Sequence, residues 1–257
     1  MKYLIFIMLS FLGMNSYAQH SPENHSKKMD DLSKATQQDT IKIAILLYKD
    51  VVLQDFAGPM EVFSKAKNLT KGKYKIFTVG LEPGEIVTEN SLLKIRPDYS
   101  IENFPTADYI IVPGASMPAV YQLMHNEKLN FFIGKWNTDP NIKIVSICTA
   151  SYLLANTGIL EDRKATTHYF VADYFAEQYP RIQLIRDVRF VDEREIITTS
   201  GVTSGIDAAL YIVGQHSGDM IQAMINRALQ YNYNQNEKWP VPAKGMRYRG
   251  EGKKIKQ

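Results

Sequence analysis

The stretch Asn141-Ile-Lys-Ile-Val-Ser-Ile-Cys-Thr-Ala-Ser-Tyr-Leu-Leu-Ala-Asn156 changes character at its middle. Its first seven residues are short, apolar and β-branched, the composition of a buried strand. From Thr149 the pattern is helical, and it stops at Thr157-Gly158, where glycine suits the left-handed position after a helix. Cys148, the only cysteine of the chain, therefore falls on a strand-to-helix turn. A sulfur there meets unpaired N–H groups and the positive end of a helix, which favour a thiolate over a thiol. The turn thus predicts an exposed, low-pKa cysteine that oxidises readily. The same elbow presents the serine nucleophile of hydrolases. A lone cysteine also fits a plainer role as a small buried hydrophobe.

Outward from this turn, strands and helices alternate. Residues 41–48, 74–80, 92–97, 109–112 and 142–147 read as strands or extended segments, and 188–191 with 195–199 as a hairpin. Helices are expected over 59–67, with Pro59 near the first turn, and over 120–136, from about 168 to 179, 206–216 and 220–231. Ser204-Gly-Ile-Asp207 fits a capping box. The alternation predicts an α/β fold, a three-layer sandwich whose mostly parallel sheet is covered by helices on both faces. In such sheets ligands bind at the carboxyl ends of the strands, where Cys148 and Pro113-Gly114 both fall.

Met1-Lys2, an apolar run from Tyr3 to Met14 and Ser16-Tyr17-Ala18 read as a cleavable signal peptide over residues 1–18, hence a periplasmic or secreted protein. No cysteine follows that cleavage point, so lipid attachment there is not expected, and one cysteine permits no internal disulfide. No later segment has the roughly 20 apolar residues that span a bilayer. Residues 19–40 are polar, a flexible leader. Residues 41–233 hold the apolar content of one domain, and residues 234–257 form a basic tail. From Lys238 to Gln257 seven Lys/Arg face one acid, Glu251, so this end carries +6 in a chain of net charge +3. A basic tail can touch anionic surfaces, but a secretory start makes nucleic acid an unexpected partner. The five histidines are scattered and show no metal-ligand spacing, so no metal and no cofactor are expected.

Three loops at the strand ends carry suitable groups. Gln54-Asp55-Phe-Ala-Gly-Pro59 supplies a carboxyl group, and Val112-Pro-Gly-Ala-Ser116 supplies N–H groups in a glycine turn that could hold an oxyanion. Cys148-Thr149 supplies the thiol and a second amide donor. A thiolate, an acid and two amides suffice for addition to a polarised carbon. Taken singly, each has a plainer reading. Asp55 can cap a helix, Gly114 can permit a tight turn, and Thr149 can use its hydroxyl locally. His168 can be structural at a helix start, and Thr203 and Ser204 can be capping residues.

The segments Ile45-Leu-Leu-Tyr48, Leu53-Gln-Asp-Phe-Ala-Gly-Pro-Met-Glu-Val-Phe63, Ile111-Val-Pro-Gly-Ala115, Val145-Ser-Ile-Cys-Thr149, Ala165-Thr-Thr-His-Tyr169 and Ser200-Gly-Val-Thr-Ser-Gly-Ile-Asp207 follow in order. Together they resemble the ThiJ/PfpI superfamily, of the class I glutamine amidotransferase-like type. The resemblance is greatest to its isonitrile hydratase branch, which shares its domain with the sensor half of AraC-type regulators. It covers residues 41–233. It implies Cys148 as nucleophile with Asp55 the acid near its sulfur. Ala115 and Thr149 would lend amides, Thr149 its hydroxyl as well, with Gly114 and Ala115 in the oxyanion and substrate-binding loop and His168 near the site. Ala115 stands where the family often has a second glycine, which implies a narrower pocket or an altered turn. Thr149 stands where the peptidase branch has histidine, so peptidase activity is not expected.

The resemblance implies a small-molecule substrate, a homodimer, and a lyase that hydrates isonitriles to N-substituted formamides. Glyoxalase or deglycase chemistry on 2-oxoaldehydes is the alternative within the same residues, and a non-catalytic ligand or redox sensor is the alternative outside catalysis. A complete AraC-type regulator is not expected, because a helix-turn-helix domain needs roughly a hundred further residues.

Overall fold

Strand β1 (Ile41–Leu47) is buried along all but one of its residues. Continuous burial, rather than alternation, marks a strand with both faces covered. The computed structural model describes residues 40–231. After β1 come α1 (Leu53–Leu69), β2 (Tyr74–Gly80), a small hairpin of β3 (Ile86–Val87) and β4 (Lys94–Ile95), β5 (Tyr99–Ser100) and β6 (Tyr109–Val112). Then follow α2 (Met117–Met124), α3 (Glu127–Thr138), β7 (Lys143–Ile147), α4 (Ser151–Asn156), β8 (Lys164–Ala165), α5 (Ala172–Gln178) and β9 (Gln183–Leu184). The last elements are β10 (Phe190–Asp192), β11 (Ile196–Thr199) and α6 (Ser204–Ala228).

Seven strands form one sheet in the order β10-β11-β7-β6-β1-β2-β5. Every pairing is parallel except β10 with β11, which closes one edge as the expected hairpin. Helices α1 and α6 pack on each other, while α2, α3 and α4 form a second group, so the α/β sandwich read from the sequence is the fold. Register then places the site. Ile111 of β6 pairs with Ile45 of β1, Val112 with Ser146 of β7, and Ile147 with Thr199 of β11. The chain therefore leaves four adjacent strands side by side, at Tyr48, Pro113, Cys148 and Ser200, on the carboxyl edge of the sheet.

Several boundaries differ from expectation. Helix α1 begins at Leu53, and Pro59 lies inside it. A proline there removes the N–H that would reach the carbonyl of Asp55 and crowds that carbonyl, a cost the packing of α1 outweighs. Asp55 is consequently inside the first turn rather than a cap. The expected helix over 120–136 is two, because Asn126 turns its side chain onto the N–H of Leu129 at 2.9 Å and starts α3 afresh. The capping box at Ser204 does not form: Asp207 pairs with Arg189, and the Ser204 hydroxyl meets that of Ser200. Gly218, at φ +80°, kinks α6 at the place where the sequence separates two helices. Of residues 92–97 only Lys94–Ile95 is strand.

Candidate functional site

Cys148 sits at φ +61°, in the left-handed region that residues with a Cβ seldom adopt. Such a conformation costs on the order of 1–2 kcal/mol and persists where its surroundings fix it. A single 3₁₀ turn, Cys148–Ala150, joins it to α4. The elbow is as the sequence reads it, but the exposure is not. Cys148 is only 6 % exposed, and burial, then the neighbouring Asp55 charge, push its thiol well above the ordinary range. The expected exposed, low-pKa cysteine is thus corrected to a buried thiol. The turn and the six-residue helix after it are too short to supply a strong dipole. What opposes burial is local. The N–H groups of Thr149 and Val202 act on the sulfur in favour of its ionised form.

Asp55, fully buried, comes to the sulfur from α1. Its Oδ2 accepts the N–H of Gly114 at 2.9 Å, while Oδ1 has no hydrogen-bond partner among the described residues. Burial pushes the carboxyl up to about 7. The Gly114 N–H opposes this, the half-buried Glu89 adds to it, and the Cys148 thiol gives the smallest influence, in the lowering direction. Two buried acids side by side titrate as a pair, and the apparent values belong to the pair. Near neutral pH, Asp55 therefore holds a proton for much of the time, with one oxygen free to donate it.

Thr149 ties the elbow to the β6 loop. Its hydroxyl donates to the carbonyl of Ala115 at 2.7 Å and accepts the N–H of Ala115 at 3.0 Å. Gly114 and Ala115, the expected oxyanion donors, thus spend their amides on Asp55 and Thr149. The amides that favour an ionised sulfur are those of Thr149 and Val202. Gly114 has a sharper reason to be glycine than a tight turn. A Cβ there would lie 2.7 Å from Thr149 Oγ1, 2.8 Å from Asp55 Oδ2 and 3.0 Å from Cys148 Cβ. Gly114→Ala should therefore cost about 1–3 kcal/mol by overpacking. It should also lower any turnover by roughly 10²-fold through misplacement of these groups. A thermal melt and a rate assay check both.

His168 packs beside this cluster rather than within it. Gly201, at φ +142°, brings its backbone so close that a Cβ there would lie 2.7 Å from His168 Cδ2. The ring is half-buried, and burial holds its pKa below the ordinary histidine value, in favour of the neutral form. Two neighbours escaped the sequence reading. Tyr48, at the end of β1, is buried and donates its hydroxyl to the carbonyl of Pro113. Its phenol is raised well above the ordinary value by burial, then by the charges of Asp55 and Cys148. Val202 carries no chemical signal in its side chain, and only its place at a strand end could have marked it. Among the described residues no cluster of three metal-ligating side chains occurs.

Comparison with known proteins agrees with this geometry. A model of the DJ-1/PfpI family matches residues 41–215, and the chain belongs to that family. It is 28% identical to isonitrile hydratase of Pseudomonas putida over 193 residues, covering 74% of this chain and 78% of that protein. It is 27% identical over 207 residues to the HTH-type transcriptional regulator GbdR of Pseudomonas aeruginosa, covering 79% of this chain and 55% of the regulator. The chain thus spans about half the length of that relative. Among solved structures, a THiJ/PfpI family protein from Pseudomonas syringae superposes with a TM-score of 0.67 at 23% identity, over 88% of this chain and 86% of that one. Drosophila melanogaster DJ-1beta gives 0.65 at 17%, over 76% and 100%.

These relatives correct one expectation. A signal peptide over residues 1–18 and a periplasmic or secreted protein do not accord with a domain whose relatives include transcriptional regulators. Residues 1–18 lie outside the described residues, as do the leader up to residue 39 and the basic tail over 234–257. No helix among the described residues is long and apolar enough to cross a membrane.

Proposed function

From DJ-1/PfpI membership as premise, we propose that this protein is a cysteine-dependent enzyme acting on a small molecule with an electron-poor carbon, with isonitrile hydration the leading reaction. The observation that carries the reading is Asp55: a fully buried carboxyl beside Cys148, pushed up to about 7, with one oxygen unpartnered. A purely structural acid would have both oxygens satisfied, since an unmet buried acceptor costs about 1–3 kcal/mol.

In this mechanism Asp55 delivers its proton to the isonitrile carbon as the Cys148 sulfur bonds to that carbon. The thiol proton passes to the Asp55 carboxylate, leaving a thioimidate on the enzyme. Water then adds to the thioimidate carbon, one proton moves to nitrogen, and the carbon–sulfur bond breaks. The N-substituted formamide departs and the thiol is restored, so the sum is isonitrile plus water. The N–H groups of Thr149 and Val202 favour the sulfur's negative charge as it forms and as it leaves. The same set would add to an aldehyde carbon, which keeps 2-oxoaldehydes as the alternative substrates.

One observation favours a second reading, a ligand-binding sensor: the chain is about as similar to a transcriptional regulator as to a hydratase. Turnover separates the two. The purified protein is assayed against a panel of isonitriles and 2-oxoaldehydes, with Cys148→Ser alongside. Saturable turnover by the wild type alone is expected; binding without turnover across both classes would favour the sensor. A homodimer is part of the same proposal, supported by the prevalence of two-fold homo-oligomers, and sedimentation would read it.

A further inference from the structure

Tyr48, buried directly after β1, donates its hydroxyl to the carbonyl of Pro113, just past the end of β6. The two strands run parallel with Ile45 beside Ile111, so their chain exits lie next to each other. The plainer use of this bond is to satisfy a buried carbonyl, whose loss of a partner costs about 1–3 kcal/mol. The peptide group it grips has a second end, however. The N–H of that same peptide belongs to Gly114 and donates to Asp55 Oδ2 at 2.9 Å. A peptide is planar and trans, so its C=O and N–H point in opposite directions and turn together. A grip on the Pro113 oxygen therefore sets the direction of the Gly114 N–H. Polarisation works the same way, since a peptide whose oxygen accepts a hydrogen bond is a better donor at its nitrogen. The next peptide is also clamped at both ends: the Gly114 carbonyl accepts the N–H of Val52 at 3.0 Å, and the Ala115 N–H donates to Thr149 Oγ1 at 3.0 Å.

We propose that Tyr48 is a positioning residue for Asp55: its hydroxyl, by holding the Pro113–Gly114 peptide, keeps the Gly114 N–H on Asp55 Oδ2, so that the unpartnered Oδ1 is the oxygen left to carry and move a proton. A tyrosine suits this task because its apolar ring packs in the core while its polar tip reaches a partner on the neighbouring strand exit. Asp55 as the acid is the reading proposed above, and its carboxyl can be titrated without turnover, so failure of that reading and failure of Tyr48's role are distinguishable.

The titratable groups around Asp55 are Tyr48 at the end of β1, Glu89 in the turn between β3 and β4, and Cys148 on the elbow. The Asp55 carboxyl is followed by carbon NMR against pH in the full-length protein, assigned by difference from Asp55→Asn, for wild type, Tyr48→Phe and Tyr74→Phe. Tyr48→Phe keeps the ring and removes the hydroxyl. With the peptide freed, the Gly114 N–H should hold the carboxylate less well and the midpoint should move upward. That leaves roughly three- to tenfold less carboxylate at a given pH, as expected for weakening one hydrogen bond to a charged group. Tyr74→Phe removes an equally buried hydroxyl, one whose partner is Ser217 at 2.8 Å, from the first residue of β2. It should lower the melting temperature and leave the midpoint in place, which is also what a merely structural Tyr48 would do. With 3-fluorotyrosine in place of Tyr48 the hydroxyl stays and becomes a stronger donor, so the midpoint should move downward. An unmoved or lowered midpoint in folded Tyr48→Phe overturns the proposal. If that variant does not fold, a fluorinated protein whose midpoint fails to move downward overturns it instead.

Discussion

Cys148→Ser should lower turnover by on the order of 10³-fold or more while the protein keeps its fold. The large effect follows from the chemistry at sulfur. A serine hydroxyl is far less acidic than a thiol, and nothing around Cys148 could ionise it: the position is buried, and the neighbouring Asp55 opposes a second negative charge. The small structural effect follows from the elbow. The φ of +61° is held by the strand before it and the turn after it, and serine bears no more side chain at Cβ than cysteine does. A buried hydroxyl needs a partner, and the amides that favour the ionised sulfur, those of Thr149 and Val202, remain for it. The stability cost should therefore stay near about 1 kcal/mol. Rate and thermal melt are measured together. Turnover above a few per cent of wild type in the folded serine protein would end the covalent mechanism.

The sheet was legible because parallel strands covered on both faces appear as mainly apolar, β-branched and aromatic runs, and 74–80 and 109–112 match their strands residue for residue. The elbow was legible because the period changes at one residue. Helix starts were less so. Proline favours a first turn but does not require one, and at Pro59 the apolar spacing of Phe56, Val62 and Phe63 prevailed over the breaker. Burial at the site was beyond reach for a different reason. The residues that cover Cys148 come from loops after β1, β6 and β11, distant in sequence, and whether they close over the sulfur depends on packing between them. The same holds for Asp207. Its spacing from Ser204 fits a cap, but a buried arginine 18 residues earlier is the stronger partner. Local pattern therefore named Cys148, Asp55 and Thr149, while the state of the thiol and the donors around it had to come from tertiary structure.

Asp55→Asn should slow turnover by about 10²–10⁴-fold, the usual loss for a general acid, and should stabilise the protein at alkaline pH. Both follow from one group. The folded carboxyl titrates at about 7, whereas its ordinary value is 3.8. Below about pH 4 the carboxyl is protonated in both states and burial of its charge costs nothing. Between the two values the folded protein holds a proton that the unfolded chain has released, so stability falls as pH rises. Above about 7 the penalty is complete, roughly three pKa units or about 4 kcal/mol. Asparagine carries no charge and escapes it. Its Oδ1 can accept the Gly114 N–H, while its amide N–H₂ must occupy the place where Asp55 Oδ1 finds no partner, at a cost of about 1–3 kcal/mol. The variant should therefore be more stable by about 1–3 kcal/mol at pH 8 and no more stable than wild type at pH 5. Wild-type kcat should fall as pH rises through about 7, as the acid loses its proton, and the variant's residual rate should lose that limb. Denaturant melts at the two pH values, with a pH–rate profile, measure all of this. An unchanged rate together with unchanged stability at pH 8 would mean that Asp55 is an ordinary ionised residue of the first helical turn.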